Sequence, residues 1–256
     1  MGEATATTTG ANRTGFPSLR PVGLDGLLVA FGDGLDVRVQ RAVLAFRAAA
    51  EAAAWPGVEE TAPSLTSVLL RFDPLVTDAA TLAEAAGALA LARDWSAAES
   101  LGPRRRWTVP AAFGGSAGPQ FDEAAALAGL SPAAARAELA AEPVRVLTIG
   151  FAPGLPYMGV LPPRWDIPRQ SGLTPLVPEA AIVVAIRQLI IFPRATPTGW
   201  RHIGQTGLRL FRPDAEEPFA LAPGDEVRFA PVSEAELQRL IADDPDRGGA
   251  TMVTVS

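Results

Sequence analysis

The residues best suited to small-molecule chemistry are concentrated between positions 149 and 206. This segment opens with the loop I-G-F-A-P-G-L-P-Y-M-G and holds the only tyrosine of the chain, Tyr157, and its only histidine, His202. Glycine has no Cβ, so the glycines at 150, 154 and 159 let the main chain bend tightly and approach another molecule, while two prolines stiffen the same loop. A loop of this kind, with Arg, Gln and Thr nearby, is typical of a small-molecule site, although it would also serve simply to turn between short strands.

The composition excludes several classes of chemistry. The 256 residues include no cysteine, and all 22 basic residues are arginines, so the chain has no thiol or lysine nucleophile and no thiolate zinc site. With a single histidine, a Ser-His-Asp triad would have to use His202, and no multi-histidine metal site is possible, so we expect no metal. The net charge of −6 argues against binding to nucleic acid.

The first 20 residues have neither the charged start nor the apolar centre of a secretion signal, and we expect a short disordered lead there. No apolar run approaches the length needed to cross a bilayer. A cytoplasmic protein that does not contact a membrane is therefore predicted.

Residues 21–119 alternate between strand and helix patterns. Strands are predicted at 26–31, 58–61, 67–72 and 106–110, with helices at 37–54 and 79–92. The order βαββαβ is that of a ferredoxin-like domain, in which two helices cover one face of an antiparallel sheet.

Residues 120–256 begin with two short helices, the second opened by Ser131 and Pro132 as N-cap and first helical residue. Short apolar runs separated by Pro and Gly follow at 144–149, 181–186, 189–192, 208–211 and 226–229, and an amphipathic helix is predicted at 233–242. Strands punctuated in this way favour a closed or nearly closed barrel, so the predicted fold class is α+β with two domains.

Several motifs in order resemble one protein family over most of the chain. They include G-V-E-E-T-A-P-S-L-T-S-V-L-L-R-F-D-P, F-G-G-S-A-G-P, G-F-A-P-G-L-P-Y-M-G-V-L-P, I-P-R, T-G-W, I-G-Q-T and L-A-P-G-D-E-V-R-F. The chain resembles the family of the 5-oxoprolinase B subunit, also called allophanate hydrolase subunit 1 or the Kip-type kinase inhibitor family.

This resemblance implies a ferredoxin-like domain joined to a cyclophilin-like β-barrel. The likeness to cyclophilin concerns the architecture and does not imply prolyl isomerase activity. It also implies a second barrel subunit of the C type and a metal-binding subunit of the A type, which together hydrolyse 5-oxoproline to glutamate with ATP bound by a partner. Related domains transfer a carboxyl group from biotin to urea, although we do not expect biotin here. One branch of the family inhibits a sporulation sensor kinase.

The sequence departs from the family pattern at positions close to the expected site. Leu139 stands where members commonly have a histidine, Gln120 replaces an aspartate, and Gln170 replaces an arginine. Residues 186–190 read I-R-Q-L-I in place of a glycine-rich G-G-Q-T-G turn. A reworked pocket is as consistent with these changes as the standard activity.

The candidate site residues combine the resemblance with side-chain chemistry. The predicted catalytic residues offer a guanidinium for a carboxylate, an amide for a ureido group and an imidazole for a proton, and they are Arg169, Gln188 and His202. The predicted substrate-binding residues are Gly150, Phe151, Pro153, Gly154, Tyr157, Trp200 and Thr206. Each also has a structural interpretation, as a surface arginine, a strand residue bonded to backbone, barrel packing or a strand start.

Three functions follow from these observations. The first is a non-autonomous subunit of an ATP-dependent hydrolase of the 5-oxoprolinase type, because the chain has the motifs but no triad, metal cluster or nucleotide loop of its own. The second is a regulatory protein that binds a sensor histidine kinase. The third is a stand-alone enzyme with a repurposed pocket in specialised metabolism.

Overall fold

The structure is a computed structural model that describes residues 15–97 and 104–255. Most of the predicted disordered lead, residues 1–14, lies outside the described residues. The end of that lead is ordered, however, because residues from Ser18 onward form a strand, and for these residues the prediction is wrong.

The first part of the chain forms a four-stranded antiparallel sheet with two helices packed against it. Its elements are β1 (Ser18–Val22), β2 (Gly26–Ala30), α1 (Val37–Ala53), β3 (Val58–Pro63), β4 (Ser67–Phe72) and α2 (Ala79–Leu91). The strand order is β1-β2-β4-β3. Asp36 and Asp78 cap the two helices by accepting hydrogen bonds from backbone N–H groups of the first turn. One core holds the sheet and the helices together, with Leu27, Val29, Val43, Phe46, Leu70 and Leu82 among its buried members.

The predicted fourth strand of this sheet, residues 106–110, belongs to the other sheet instead. Its place at the edge beside β2 is taken by β1, which reaches β2 through a tight turn at Gly23, where φ is +63°. The predicted strand is part of β5 (Arg104–Phe113), and its alternate residues Trp107 and Val109 are buried in the barrel core. The order is therefore ββαββα, while the α+β class and the helix-covered antiparallel sheet are confirmed.

The rest of the chain forms a closed barrel with attached helices. After β5 come α3 (Phe121–Leu127), α4 (Pro132–Ala141), β6 (Val144–Ile149), β7 (Pro156–Gly159), β8 (Thr174–Val177), β9 (Ala181–Ala185), β10 (Gln188–Ile191), β11 (Thr196–Thr198), β12 (Arg201–Thr206), β13 (Glu226–Pro231), α5 (Glu234–Asp243) and β14 (Thr251–Val255). The ring runs β12-β9-β10-β7-β6-β13-β5 and closes through pairing of β5 with β12, while β14 extends the sheet beside β5. The strand predicted at 208–211 is reduced to a single bridge between Phe211 and Phe219.

The barrel wall has an apolar cluster on each of its faces. Ile182 and Val184 of β9 and Leu189 and Ile191 of β10 point to the interior, which is filled with branched and aromatic side chains. The intervening residues point outward into a second cluster, made of Leu155, Val177, Ala181, Val183, Ala185, Ile190, Phe192 and Trp200. Strand alternation thus places an apolar outer wall directly behind the loop that the sequence singled out.

The pairing of β5 with barrel strands is relevant to the predicted domain boundary but does not define it. The division at residue 119 stays a prediction, although β5, which precedes it, hydrogen-bonds within the barrel sheet. None of the helices in the described part of the chain is long and apolar enough to span a membrane.

Candidate functional site

A cavity of about 320 Å³ lies on the outer wall of the barrel. The residues lining it come from the loop after β6, from β7 and β10, and from the segments flanking β8 and β11; they are Phe151, Leu155, Tyr157, Arg169, Gln170, Leu173, Ile190, Phe192, Pro197, Thr198, Gly199 and Trp200. The volume is at the lower end of the range for small-molecule sites, which is roughly 300–1,000 Å³. We call this cavity the outer pocket.

The back of the outer pocket is aromatic and rigid. Tyr157 and Trp200 meet edge to face, with ring centroids 6.2 Å apart. Tyr157 is the cross-strand partner of Ile190, and the backbone N–H of Trp200 donates to the hydroxyl of Thr198 at 3.0 Å. Because both rings are held by neighbouring strands, they offer a preformed wall to a flat ligand.

Arg169 extends from a backbone that is fixed on both sides. The carbonyl of Pro168 accepts from the Arg201 guanidinium at 2.5 Å, and the N–H of Gln170 donates to the carbonyl of Gly199 at 2.7 Å. The Arg169 side chain itself is exposed and makes no ion pair with any residue that the structure describes. Its guanidinium is therefore available to an anion at the mouth of the pocket.

Gln120 and Gln170, two of the departures from the family pattern, touch each other. The amide nitrogen of Gln120 donates to the side-chain oxygen of Gln170 at 2.6 Å. Gln170 lines the outer pocket, whereas Gln120 lies at the start of α3 and is not among the lining residues. The two substitutions therefore act on one contact at the edge of the site.

The loop from Gly150 to Leu155 forms the outer lip of the pocket. The N–H of Gly150 donates to the carbonyl of Leu155 at 3.1 Å, which closes the loop on itself. Phe151 has φ of +71° and is 83% exposed at the pocket mouth. Pro153 is exposed, and Gly154 turns inward, where a Cβ would lie 3.0 Å from the carbonyl oxygen of Leu210. Of these, only Phe151 and Leu155 line the pocket, and Gly150, Pro153 and Gly154 shape the loop behind them.

Besides Gly150, Pro153 and Gly154, three further predicted site residues do not line the outer pocket. Gln188 begins β10, is buried, and has a side-chain nitrogen with no partner among the described residues. Thr206 ends β12, where its hydroxyl accepts the N–H of Leu208 at 3.1 Å and so forms a turn. His202 is the second residue of β12 and is buried, with its Nε2 3.1 Å from the carbonyl oxygen of Gly204.

The surroundings of His202 favour the neutral imidazole. Burial lowers the pKa of His202 below its ordinary value, and this outweighs backbone hydrogen bonds to Gly204 and Ala117 that act in the opposite direction. Its backbone is also tied to Gln120, whose N–H donates to the carbonyl of His202 at 3.0 Å. This backbone hydrogen bond ties the residue before α3 to β12.

The remaining residues that depart from the family pattern take part in packing and in a turn. Leu139 is buried in the barrel core on α4. Ile186 and Arg187 form the turn between β9 and β10 with φ of 45° and 63°, a conformation that usually favours glycine. Their N–H groups donate to the carbonyls of Ile167 and Trp165 at 2.8 and 2.9 Å, so this turn does not present free backbone donors to a ligand.

Sequence reasoning identified part of the lining and missed the rest. Four of the predicted site residues line the same cavity, namely Phe151, Tyr157, Arg169 and Trp200. Missed members include Leu155, Leu173, Ile190, Phe192 and the stretch 197–199. The T-P-T-G run before Trp200 was a usable signal, because Pro and Gly beside an aromatic residue bring main chain close to a cavity.

The chemistry available in the outer pocket is binding and orientation. Arg169 is the only charged side chain among the lining residues, which include no carboxylate, histidine or serine. A ligand that combines a flat apolar body with one negative group matches this wall. Tyr157 is the only lining residue with a side chain commonly used for proton transfer, so further acid–base groups would have to come from elsewhere.

A family model described as the carboxyltransferase domain, subdomain C and D, matches residues 17–221, which include every strand of the barrel ring except β13 and all of the outer pocket. The chain belongs to this family. It is 36% identical over 183 residues to the B subunit of 5-oxoprolinase from Escherichia coli O157:H7, covering 70% of this chain and 80% of that protein. It is 31% identical over 225 residues to the B subunit of 5-oxoprolinase from Bacillus subtilis (strain 168), covering 85% of this chain and 94% of that protein.

Two solved structures share the architecture of this chain. The crystal structure of TTHA0988 is 29% identical, with a TM-score of 0.68 over 82% of this chain. This chain spans only 40% of the TTHA0988 chain. The Kluyveromyces lactis urea amidolyase, at 18% identity and a TM-score of 0.69, matches 93% of this chain over 16% of its own length and shows the shared fold alone.

Proposed function

We propose that this chain is the substrate-binding component of a multi-subunit hydrolase of the 5-oxoprolinase type. Its family relatives in Escherichia coli and Bacillus subtilis are named as the B subunit of 5-oxoprolinase, and the Bacillus match spans most of both chains. Such a name implies further subunits, in keeping with a chain that does not act alone.

The observation that carries the proposal is the combination of aromatic wall and single guanidinium in the outer pocket. 5-Oxoproline is a small, nearly flat lactam ring with one carboxylate. The ring would pack against Tyr157 and Trp200, and the carboxylate would pair with Arg169 at the mouth. The ring amide would then face the open side of the pocket.

Hydrolysis adds one water across the ring amide. The bond between the carbonyl carbon and the ring nitrogen breaks, the carbon gains the water oxygen, and the nitrogen becomes the amino group of glutamate. The lining residues include no carboxylate or histidine to act as the general base for this step, so the proposal requires a partner that completes the site. We assign that function to a second barrel subunit of the C type, with ATP bound by a partner and with a metal-binding subunit of the A type as a further component.

The rim of the pocket is suited to be covered by such a partner. Phe151 and Leu173 are 83% and 71% exposed on either side of the opening. Covering them would remove apolar surface from water and would exclude water from the bound ring. Because the proposed complex consumes ATP, we place its activity in the cytoplasm.

The test is reconstitution. The chain is co-expressed with the subunits encoded beside it, and glutamate release from 5-oxoproline is measured with and without ATP. We expect ATP-dependent release from the complex and none from the chain alone. A complex that assembles fully and releases no glutamate would exclude this substrate.

The same experiment separates the alternative functions. A stand-alone enzyme would turn over substrate without partners, which the lining of the outer pocket does not favour because it includes no carboxylate, histidine or serine. Inhibition of a sensor histidine kinase rests on the family resemblance and would appear as reduced autophosphorylation when saturating protein is added.

A further inference from the structure

Gln120 and Gln170 form an amide pair at the edge of the outer pocket, although they are 50 residues apart in the chain. The amide nitrogen of Gln120 is 2.6 Å from the side-chain oxygen of Gln170. In the same pair, the amide nitrogen of Gln170 lies 3.5 Å from the side-chain oxygen of Gln120. The 2.6 Å hydrogen bond between these two neutral amides fixes both side chains in one orientation.

Both donor hydrogens of the Gln170 amide are used by the protein. Its amide nitrogen donates to the carbonyl of Trp200 at 3.0 Å and to the hydroxyl of Thr174 at 3.3 Å, and its oxygen accepts from Gln120. Gln170 therefore offers the cavity a neutral amide with no free donor hydrogen.

Gln120 is itself anchored to the barrel wall. Its side-chain oxygen accepts from the backbone N–H of His202 at 2.8 Å, and its own N–H donates to the carbonyl of His202 at 3.0 Å. Gln120 thereby mimics a strand residue paired with β12, and its amide nitrogen points toward Gln170 from a fixed position.

Because Gln120 and Gln170 are both uncharged, this pair adds no charge to the outer pocket. Arg169 is adjacent to Gln170 in the chain and is the only charged side chain among the lining residues. A cation at position 170 would add a second positive charge. An anion at position 120 would add a negative charge at the edge of the pocket, next to Gln170.

We propose that Gln120 is a positioning residue that, through Gln170, restricts the outer pocket to ligands with a single negative charge. The inference rests on the proposed function, because it concerns the ligand that binds beside Arg169. It goes further in naming a residue outside the pocket that sets ligand charge.

The first experiment compares two ligands of the same shape and different charge. Dissociation constants for 5-oxoproline and for its neutral carboxamide are measured by titration calorimetry on the full-length chain. In Gln120→Glu, a carboxylate replaces the amide with little change in size. We expect the preference for 5-oxoproline over the carboxamide to fall about tenfold, because the new anion lies in a partly buried position against Gln170, which lines the pocket beside Arg169.

The control is Gln238→Glu, which makes the same charge change on the exposed face of α5. Its ligand preference is expected to stay within about twofold of the parent chain, since exposed charges at a distance are screened by salt. A purely structural effect of Gln120→Glu would weaken both ligands equally and leave their ratio unchanged, and that result would overturn the inference.

A second pair of variants tests the inference independently, in case Gln120→Glu does not fold. Gln170→Arg alone is expected to shift the preference toward a dicarboxylate. Adding Gln120→Asp places a carboxylate opposite the new guanidinium, and the double variant is expected to return to the single-anion preference. If Gln170→Arg folds, as judged by thermal unfolding, and keeps the parent preference, the inference is wrong.

Failure of the inference is distinguishable from failure of the proposed function. A parent chain that binds neither 5-oxoproline nor its carboxamide, with or without its partner subunits, contradicts the proposed function. A parent chain that binds 5-oxoproline while Gln120→Glu keeps its ligand ratio contradicts only the inference.

Discussion

The guanidinium of Arg169 lies over the indole ring of Trp200, with 5.4 Å between the guanidinium carbon and the ring centroid. A cation over an indole face is attracted by the electrons of the ring, and at exposed sites this is worth about 0.5–1 kcal/mol. The contact holds a long, exposed side chain at the pocket mouth without neutralising it. Arg169 is therefore preorganised for an anionic ligand.

Removing this guanidinium should weaken ligand binding more than it affects folding. For Arg169→Ala we expect the dissociation constant for 5-oxoproline to rise roughly 10- to 100-fold, the range for losing a charge-assisted hydrogen bond. Calorimetric titration measures this. Arg194→Ala, which removes an exposed arginine outside the pocket lining, is the matched control and should change the constant less than about twofold. Equal effects of the two substitutions would remove Arg169 from the site.

Phe151 should matter for binding and little for stability. Its ring is 83% exposed, so truncation removes little buried area, while its φ of +71° already strains the folded backbone. We expect Phe151→Gly to weaken 5-oxoproline binding several-fold and to change the free energy of unfolding by less than about 1 kcal/mol. Urea denaturation and titration measure the two quantities. Phe151→Ala keeps the strain and loses the ring, so unchanged affinity in both variants would mean that the ring does not contact ligand.

Restoring the family histidine at Leu139 should destabilise the protein. Leu139 is 2% exposed in the barrel core, where an imidazole would lose its hydration without a ready partner. We expect Leu139→His to lower the free energy of unfolding by about 2–4 kcal/mol. Leu127→His on the neighbouring helix α3, at a position that is 48% exposed, should cost less than about 1 kcal/mol. A Leu139→His protein as stable as the parent would show that the core can accommodate the ring.

His202 should make stability depend on pH between neutrality and mild acid. Its pKa in the folded chain is lowered by burial from the ordinary 6.5, so the folded state disfavours the proton that the unfolded state binds. The stabilising contribution is complete above pH of about 6.5 and is lost as the pH falls toward the folded pKa. We expect His202→Asn to flatten the decline in unfolding free energy below pH 6.5, measured by urea denaturation at a series of pH values.

The carboxyl group of Glu226 titrates in a different pH range and so distinguishes the effect of His202 from general acid denaturation. Burial would raise the pKa of Glu226, but hydrogen bonds and charges from Arg104 and Arg106 outweigh it and lower the pKa below the ordinary 4.5. Its contribution is therefore lost only as the pH falls below about 4.5. If His202→Asn and the parent chain lose stability in parallel between pH of about 6.5 and about 5, the assignment of this window to His202 is wrong.

The sequence by itself determined the α+β class, the helices of both halves, the family, and the absence of thiol and lysine chemistry. The class and the helices follow from side-chain periodicity and capping residues, the missing chemistry from composition, and the family from the ordered motifs that resemble it. Phe151, Tyr157 and Trp200 were predicted because Gly, Pro and aromatic residues mark a loop, and Arg169 because it belongs to the I-P-R motif of that resemblance; all four line one cavity.

Only the tertiary structure decided which strand completes the first sheet and where the pocket lies. A strand pattern does not specify its partner, so β1 takes the edge beside β2 and β5 joins the barrel. The sequence also placed Gln188 and His202 beside Arg169, whereas strand pairing directs them to other parts of the wall. The contact between Gln120 and Gln170 spans 50 residues and depends on closure of the barrel, which local pattern does not encode.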